Sequence, residues 1–396
     1  MQAVILAAGE SSRTCPLTIT RPKPLLKAAN KTILEHNIGQ LKDLVDEIVI
    51  VVGFKGEMIE DFIKNKYDKK IKNKIRFVWQ KKQLGTGDAV NRAKGLLKDR
   101  FIVINGDDFF CKEDLRGMLN YKYAVLADKT DTPEAFGICK LKGRYITEIV
   151  EKPKKPPSNL VNTGAYLLDK EIFKVQLKKS IRGEYEITDY IKGLAKTEKI
   201  GCVRVRNYWI SITYPWRLLD ANEHFLKDIK TDVKGEIEKG VTIRGSLIVG
   251  KGTKIKSGTC IEGSVVIGEN CEIGPNTYIR GYSAIGNNCK LGQAVELKNS
   301  IVADRTKIPH LSYVGDSVIG ENCNIAAGTV VANLRHDNKN IMSKVNGDLI
   351  DTGRKKLGTI IGDNVKTGAN TTIYPGRKIW PGKQTMPGEV VKEDIV

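Results

Sequence analysis

The chain has 396 residues, a net charge of +19 and 41% hydrophobic residues, which is enough for two or three packed domains. Its longest apolar stretches, Ala3–Ala8 and Ile48–Val52, are too short to span a bilayer, and Met1–Gly9 lacks the features of a signal peptide. We therefore predict a cytoplasmic protein with no membrane partner. The lysines are scattered and no nucleic-acid-binding motif accompanies them, so we expect no nucleic-acid partner.

Residues 1–226 alternate apolar, strand-like runs with amphipathic helical patterns, which predicts a doubly wound, Rossmann-like α/β sheet. The predicted strands are Ala3–Leu6, Glu47–Val52, Ile75–Trp79 and Phe101–Ile104, and the predicted helices are Thr32–Val45, Glu57–Asn65 and Thr86–Leu97. Ligands of such sheets bind beyond the carboxyl ends of the strands. The segments Ala7–Arg13, Gln80–Gly87 and Gly106–Asp108 are therefore the candidate ligand loops.

These three loops carry residues suited to a nucleotide. Gly9 lies in a turn of small residues after the first strand, where backbone N–H groups can approach phosphate oxygens. Gly85 and Gly87 form a second loop of the same kind. Asp107 ends a buried strand with a carboxylate that suits Mg²⁺ beside phosphates, although alone it could equally cap a helix. Together they indicate a nucleoside triphosphate site, and the absence of a P-loop motif excludes a P-loop ATPase.

The second half of the chain has a period of six. We predict a closing helix at Pro215–Lys227 and a polar linker over 227–235. From Ile237 to Leu297 an aliphatic residue stands at every sixth position, followed four residues later by a small or β-branched residue. This periodicity is typical of a parallel β-helix, in which three short strands form one coil. We place that domain at residues 236–382, followed by a C-terminal tail at 383–396.

Two interruptions of the repeat are candidate site loops. Pro309 stands where an aliphatic residue is expected, which predicts a broken coil around Asp304–Val314. Asn333–Lys356 is a polar insertion that a regular solenoid does not need. His310 lies at the first interruption, where a neutral imidazole could accept a proton from an attacking amine. A structural histidine is the alternative interpretation.

The eight cysteines contain no C-x-x-C pair, which argues against a zinc ribbon or a redox dithiol. Cys271, Cys289 and Cys323 occupy the small inward position of the repeat and are expected to fill the core. Cys271 and Cys289 are one coil apart and should stack about 4.8 Å from each other with parallel side chains. We therefore predict no disulfide between them.

Motifs in chain order connect these features to a known family. They are LAAG at 6–9, Arg13, PLT at 16–18, RPKPLL at 21–26, LGTGDA at 84–89, NGD at 105–107, FGI at 136–138, EKP at 151–153 and NTGAY at 162–166. This series resembles the sugar-1-phosphate nucleotidylyltransferases. HLSYVGDSVIGENCNIAAGT at 310–329 closely resembles the acetyltransferase motif of the archaeal bifunctional nucleotidylyltransferase/acetyltransferases of the UDP-N-acetylglucosamine pathway. The resemblance covers essentially the whole chain and implies that its β-helix is left-handed.

The resemblance implies a first reaction in which a sugar-1-phosphate attacks UTP or dTTP and pyrophosphate leaves. Its implied residues are Arg13 and Lys23 for catalysis, Ala8, Gly9, Gln80, Gln83, Gly85 and Thr86 for the nucleotide, Gly137, Glu151 and Asn162 for the sugar, and Asp107 for Mg²⁺. The chain departs from the pattern at Ser11, where the family usually has glycine. It also departs at Ser211, where archaeal relatives usually have an aspartate that serves as a second metal ligand.

The resemblance implies a second reaction, in which the amine of a hexosamine-1-phosphate attacks acetyl-CoA and His310 is the general base. The other implied residues are Arg280 and Lys298 for the sugar phosphate, Tyr313 and Asn324 for the sugar, and Asn333, Lys339 and Lys356 for the acyl site. The family builds this site between subunits, so we predict a homotrimer or a dimer of trimers. Two alternatives stay open, namely an acetyltransferase with a weakened or redirected nucleotidylyltransferase domain and a non-catalytic regulatory assembly protein.

Overall fold

The computed structural model describes residues 1–180 and 182–396, which form two compact units. The first unit comprises Met1–Glu10, Pro22–Leu25 and Ile33–Ser211, and the second comprises Ser11–Arg21, Leu26–Thr32 and Ile212–Val396. This grouping by contacts is discontinuous in sequence, and it differs from the predicted linear division at residue 226. Two short N-terminal segments and the last helix group with the C-terminal unit.

The first unit is built on a nine-stranded mixed sheet. Across the sheet, the strands run in the order Ile75–Trp79, Glu47–Val52, Gln2–Ala7, Arg100–Asn105, Leu160–Asp169, Tyr123–Lys129, Ile200–Arg204, Tyr145–Glu151 and Gly137–Lys142. The first four are parallel, and Leu160–Asp169 pairs antiparallel to Arg100–Asn105. The four strands predicted from the sequence are confirmed. Most of their apolar residues are buried because both faces of the sheet are covered, whereas Phe77, Val78 and Trp79 on the edge strand are half-buried.

The helices of the first unit are Ile33–Leu41, Gly56–Lys66, Lys69–Lys72, Thr86–Ala93, Lys112–Met118 and Ile187–Leu194, with 3-10 turns at Lys23–Leu25, Pro133–Ala135 and Lys170–Lys174. A two-stranded antiparallel sheet joins Asp108–Phe110 to Trp209–Ser211. The helix predicted at Thr86–Leu97 begins as expected but ends at Ala93. Gly95 follows closely, and glycine has low helix propensity, so the amphipathic pattern alone overestimated the length.

The second unit contains three parallel sheets that the chain visits in turn. The first sheet contains the strands Asp232–Val233, Leu247–Val249, Val265–Ile267, Ser283–Ile285, Ile301–Val302, Val318–Ile319, Ile360–Ile361 and Lys378–Ile379. The second sheet contains the strands Glu236–Ile237, Lys254–Ile255, Glu272–Ile273, Lys290–Gln293 and Lys307–His310. The third sheet contains the strands Thr242–Arg244, Cys260–Glu262, Tyr278–Arg280, Glu296–Lys298, Tyr313–Gly315, Val330–Val331, Thr372–Ile373 and Val390–Val391. This order fits a three-sided parallel β-helix. From Ile255 to Leu297 the six-residue aliphatic positions are buried.

The coil is not broken at Asp304–Val314, contrary to the sequence expectation. Strand pairing continues, with Leu291 aligned to Ile308 and Leu297 aligned to Val314. The register shows the reason, since Lys298 is 18 residues after its partner Arg280 whereas Ile301 is only 17 after Ala284. One corner is a residue shorter, so the inward position moves from Pro309 to Ile308.

Two further details concern the C-terminal region. The predicted tail at 383–396 contains the strand Val390–Val391, which pairs with Thr372–Ile373, so the β-helix continues beyond residue 382. The predicted insertion contains an antiparallel hairpin of Met342–Val345 and Asp348–Asp351.

The eight cysteines are all free thiols, which confirms the expectation for Cys271 and Cys289.

The remaining N-terminal residues of the second unit pack on the β-helix. A 3-10 turn, Ser12–Thr14, precedes a small hairpin of Lys27–Ala28 and Lys31–Thr32, and the unit's helix is Arg217–Leu226. Asn222 of that helix accepts from the Ala29 N–H and donates to the Tyr282 carbonyl, each at 2.8 Å. These bonds explain why the helix groups with the second unit. Over residues 1–180 and 182–396, no helix is both long and apolar enough to cross a membrane.

Candidate functional sites

Lys23 and Asp107 form an ion pair in the first unit. The Lys23 Nζ lies 2.6 Å from the Asp107 Oδ2, with the lysine side chain 5% exposed and the aspartate 38% exposed. Asp107 follows the central strand Arg100–Asn105, where the sequence predicted a ligand site. Burial of an amine needs a matching charge, and Asp107 supplies it while keeping part of its carboxylate open to solvent.

The two glycine loops at the same edge of the sheet are held by glutamines. The buried Gln80 donates to the Gly85 carbonyl at 3.0 Å, and Gln83 donates to the Ala8 carbonyl at 3.4 Å. Gly85 has a φ of +105°, and a Cβ there would lie 2.5 Å from the Tyr185 carbonyl oxygen. A Cβ at Gly9 would meet nothing within 4 Å, so contacts within the chain do not require glycine there. Glycine at position 9 is consistent with a ligand that approaches the backbone.

Gly137, Glu151 and Asn162, the three predicted sugar residues, lie together. Gly137 is the strand partner of Glu151, and a Cβ on Gly137 would lie 3.1 Å from the Glu151 Oε2 and 3.9 Å from the Asn162 Cβ. Desolvation raises the pKa of Glu151. The Asn162 Nδ2 donates to the Tyr166 hydroxyl at 2.5 Å, which fixes the amide.

Sequence reasoning missed Arg182 beside this cluster. Its Nη2 donates to the Glu186 Oε1 at 2.6 Å and lies 3.4 Å from the Glu151 Oε1. Thr86, predicted for the nucleotide, is tied to the same region because its hydroxyl accepts from the Ile187 N–H at 3.0 Å. The segment 182–187 carries no glycine-rich or aspartate motif, so only the fold could place it here.

Asp107 is the more exposed of the two neighbouring carboxylates that could contact a metal ion. Throughout the described residues there is no cluster of three or more His, Cys, Asp or Glu side chains that could hold a metal. Asp108 is buried, and its Oδ2 accepts from the Trp209 Nε1 at 3.3 Å. Ser211 is the strand partner of Asp108. Asp107 is therefore the partly exposed carboxylate, and Mg²⁺ beside it would take its other ligands from phosphates and water.

Arg13, predicted for catalysis, belongs to the second unit. It lies in the 3-10 turn Ser12–Thr14 with an exposed side chain. The turn is tied down by its neighbours, since the Thr14 and Thr18 hydroxyls both donate to the Ser11 carbonyl, at 2.9 and 2.7 Å.

One face of the β-helix brings four predicted acyl-site residues together. Arg280 and Lys298 are strand partners on successive coils, and Tyr313 lies on the next strand of the same sheet. The Arg280 Nη2 donates to the Glu296 Oε1 at 2.7 Å. The Tyr313 hydroxyl accepts from the Asn333 Nδ2 at 3.0 Å. The face thus presents two cations, a phenol and an amide, which suits a phosphorylated sugar.

Asp316 organises this face and was not predicted. Its side chain is 3% exposed, and its Oδ2 accepts from the Lys298 Nζ at 2.8 Å and from the Asn333 Nδ2 at 2.6 Å. The Oδ1 accepts from the Asn299 Nδ2 at 2.8 Å. An aspartate with a φ of +50° in a corner is a weak sequence signal, because asparagine and aspartate both tolerate such corners.

His310 and Asn324 lie on the neighbouring sheet. His310 ends the strand Lys307–His310 with an exposed side chain, and within the described chain its imidazole makes no hydrogen bond. Asn324, also exposed, pairs with Lys307. Tyr313 and Asn324 are therefore on different faces of the β-helix. Lys356 pairs with Leu334, next to Asn333, whereas Lys339 is exposed in the insertion with its backbone N–H on Asp337.

Comparison with known proteins identifies the class of protein. The "Nucleotidyl transferase" family model matches residues 2–228, and the "GMPPB C-terminal domain" model matches residues 261–395. A putative glucose-1-phosphate thymidylyltransferase of Bacillus anthracis is 30% identical, with a TM-score of 0.52 over 59% of this chain and 97% of that one. The chain belongs to the nucleotidyl transferase family, and its first unit has the fold of these enzymes.

Relatives that match the full length make the assignment narrower. "Bifunctional protein GlmU" of Methanococcus maripaludis strain C7 is 48% identical, over 100% of this chain and 95% of that protein. "Bifunctional protein GlmU" of Methanocaldococcus jannaschii is 45% identical, over 100% and 96%. The "Bifunctional sugar-1-phosphate nucleotidylyltransferase/acetyltransferase" of Sulfurisphaera tokodaii is 40% identical, over 100% and 98%. The chain is therefore a member of this bifunctional family of transferases.

Proposed function

We propose that the chain makes a nucleotide-activated N-acetylhexosamine in two steps, at two separate sites. The observation that carries the proposal is the face formed by Arg280, Lys298 and Tyr313, whose two cations and phenol suit a sugar phosphate. The exposed imidazole of His310 lies close to Tyr313 in the sequence. The Lys23–Asp107 pair supports the other step. Glucosamine-1-phosphate or galactosamine-1-phosphate is the proposed acceptor, with acetyl-CoA and UTP or dTTP as co-substrates.

In the acetyl-transfer step, the amine nitrogen of the hexosamine-1-phosphate forms a bond to the thioester carbon and the bond to the coenzyme A sulfur breaks. His310 accepts the proton that the amine loses, and its exposed side chain supports this role. Arg280 and Lys298 bind the phosphate, and Tyr313 and Asn324 orient the sugar. Asn333, Lys339 and Lys356 complete the acyl site.

In the nucleotidylyl-transfer step, a phosphate oxygen of the sugar attacks the α-phosphorus of the triphosphate and pyrophosphate leaves. Lys23 and Arg13 neutralise the charge that develops on the phosphates, which is the main contribution of protein to such transfers. Gly9 and the loop of Gln80, Gln83, Gly85 and Thr86 hold the nucleotide, and Gly137, Glu151 and Asn162 hold the sugar. Bound at Asp107, Mg²⁺ would neutralise phosphate charge.

We also propose that the β-helix is left-handed and that the protein is a homotrimer or a dimer of trimers. The separation of His310 and Asn324 from Tyr313 within one subunit supports an acyl site shared by neighbouring subunits. In that arrangement His310 of one subunit serves the sugar-binding face of another.

A substrate matrix tests the proposed function. Purified protein is given each hexosamine-1-phosphate with acetyl-CoA, and separately each N-acetylated product with UTP or dTTP. Release of coenzyme A in the first set and of pyrophosphate in the second is the expected result. Release of pyrophosphate without any release of coenzyme A would contradict the acyl-transfer assignment, and the converse would contradict the nucleotidylyl-transfer assignment.

A further inference from the structure

The chain segments on either side of Lys23 are tied to the β-helix by charged side chains. Arg21 donates to Glu321 and, at 2.6 Å, to the Asp363 Oδ2. The Thr20 hydroxyl donates to the same Asp363 oxygen at 2.5 Å. The Lys27 Nζ lies 2.6 Å from the Asp304 Oδ2. All of these residues belong to the second compact unit. We call Arg21, Lys27, Asp304, Glu321 and Asp363 the charge clamp.

The charge clamp is shielded from solvent. The side chains of Arg21, Glu321 and Asp363 are each at most 16% exposed, so these pairs are screened less than pairs on an open surface. Burial alone would lower the pKa of Arg21, but the bonds and charges of Glu321 and Asp363 raise it. Burial alone would raise the pKa of Asp304, and Lys27 lowers it. The Arg21 guanidinium and the Asp304 carboxylate are therefore both stabilised in their charged forms.

Apolar packing does not hold this segment alone. A cavity lies under it, lined by the apolar residues Leu17, Leu26, Leu218, Val302 and Ile319 and by the clamp residues Arg21, Lys27 and Asp363. A void deprives the surrounding side chains of dispersion contacts. The ion pairs therefore act together with hydrogen bonds, such as that from the Ala29 N–H to Asn222, to fix the position of the segment.

Lys23 lies on the short segment between two residues of the charge clamp, Arg21 and Lys27. Pro22–Leu25 joins Arg21 to Leu26 and Lys27, and it carries Lys23 in a 3-10 turn. Because Pro22 and Pro24 restrict the backbone, a shift of Arg21 or Lys27 also moves the turn that carries Lys23. We propose that the charge clamp consists of positioning residues for nucleotidylyl transfer, so that this activity depends on carboxylates of the β-helix. The proposal rests on the proposed role of Lys23.

The test uses the full-length protein with the double change Glu321→Gln and Asp363→Asn. These changes keep the volumes of the two side chains. In the wild type the backbone N–H of residue 321 donates to the Asp363 Oδ1 at 2.7 Å, and the amide oxygen of the variant can still accept this bond. The matched control is Glu272→Gln, because Glu272 pairs with Lys256 and Lys290 inside the β-helix. For each protein, kcat and KM are measured for pyrophosphate release and for coenzyme A release.

We expect kcat for pyrophosphate release to fall about 10- to 100-fold in the clamp variant, as for a catalytic group displaced by about 1 Å. Coenzyme A release should stay within about twofold of wild type, and the control should keep both activities. The backbone N–H groups between residues 17 and 27 should also exchange hydrogen faster in the clamp variant than in the control.

Wild-type pyrophosphate release in the clamp variant would overturn the proposal, and so would equal loss of both activities, since that indicates general destabilisation. The variant Lys23→Ala distinguishes a failure of this proposal from a failure of the proposed role of Lys23, on which it rests. If Lys23→Ala is fully active in pyrophosphate release, the proposed function of Lys23 is wrong. If Lys23→Ala is inactive while the clamp variant is fully active, only the clamp is wrong.

Discussion

Asp316 holds the Lys298 and Asn333 side chains through one buried carboxylate oxygen. We expect Asp316→Asn to lower kcat of acetyl transfer by about 10- to 100-fold, because two groups of the proposed acyl site lose the acceptor that orients them. Nucleotidylyl transfer should not change. Asp232→Asn is the control, since Asp232 pairs with Lys234 on an exposed strand at the start of the β-helix. Coenzyme A release measures the effect, and equal rates for both variants would show that Asp316 has no positioning role.

Ser211 gives a prediction about metal dependence. Relatives are expected to have a carboxylate at this position, and Asp107 is the partly exposed carboxylate at the proposed metal site. We expect nucleotidylyl transfer to need high Mg²⁺ concentrations and Ser211→Asp to lower that requirement, because Mg²⁺ prefers carboxylate oxygens. Titration of pyrophosphate release with Mg²⁺ compares the two proteins. Superimposed curves would mean that the ligand change is immaterial or that Ser211 is not at the metal.

The residue scale also shows where sequence reasoning stops. Gly85 and Asp107 follow parallel strands of the sheet, so their position beyond its carboxyl edge follows from topology. Arg182 contacts Glu151 from a segment with no motif, and Asp316 contacts Lys298 from within the 310–329 motif, where the sequence assigned it no role. Such contacts join residues that are distant in sequence and meet only in the folded chain. A local sequence pattern contains no information about them.

At the scale of elements, the hexapeptide pattern predicted the β-helix core but not its phase. The aliphatic period identified the inward residues as far as Leu297, because every coil up to that point has the same length. A corner shortened by one residue then moved the inward position to Ile308. A proline at the expected position looks the same in the sequence whether the coil breaks or only shifts its register.

The same pattern contains a matched pair for a stability test. Ile279 and Ile243 both occupy aliphatic positions of the repeat and are strand-aligned through Ile261, but Ile279 is 0% exposed and Ile243 is 39% exposed. Ile279→Ala should lower the free energy of unfolding by about 2–5 kcal/mol, because it removes buried methyl groups and leaves a cavity. Ile243→Ala should cost less than about 1 kcal/mol. Urea denaturation checks both, and equal losses would contradict the assigned burial.

At the scale of the whole molecule, the grouping of the chain by contacts differs from the linear division predicted at residue 226, although the matching family model ends close to it, at residue 228. The segments 11–21 and 26–32 lie far from the β-helix in sequence, yet they group with it through contacts such as Arg21 with Asp363. Domain boundaries were read from changes in periodicity, and periodicity describes single elements. It contains no information on which element a short polar loop will pack against.

The oligomeric state is the next prediction at this scale. Because His310 and Tyr313 lie on different sheets of one subunit, we expect a trimer of about 132 kDa, three times the 43.9 kDa chain, or a pair of such trimers. Light scattering at micromolar protein concentration gives the mass directly. A mass of about 44 kDa would contradict an acyl site shared between subunits.

The central claim is that one chain performs two transfers at independent sites, and a reciprocal pair of variants tests it most directly. Pyrophosphate release and coenzyme A release are measured side by side for wild type, His310→Ala and Lys23→Ala. We expect His310→Ala to lose acetyl transfer by roughly 10²- to 10⁴-fold, as for removal of a general base, and to keep nucleotidylyl transfer. Lys23→Ala should show the opposite pattern. Wild-type acetyl transfer in His310→Ala, or loss of both activities in either variant, would contradict the account.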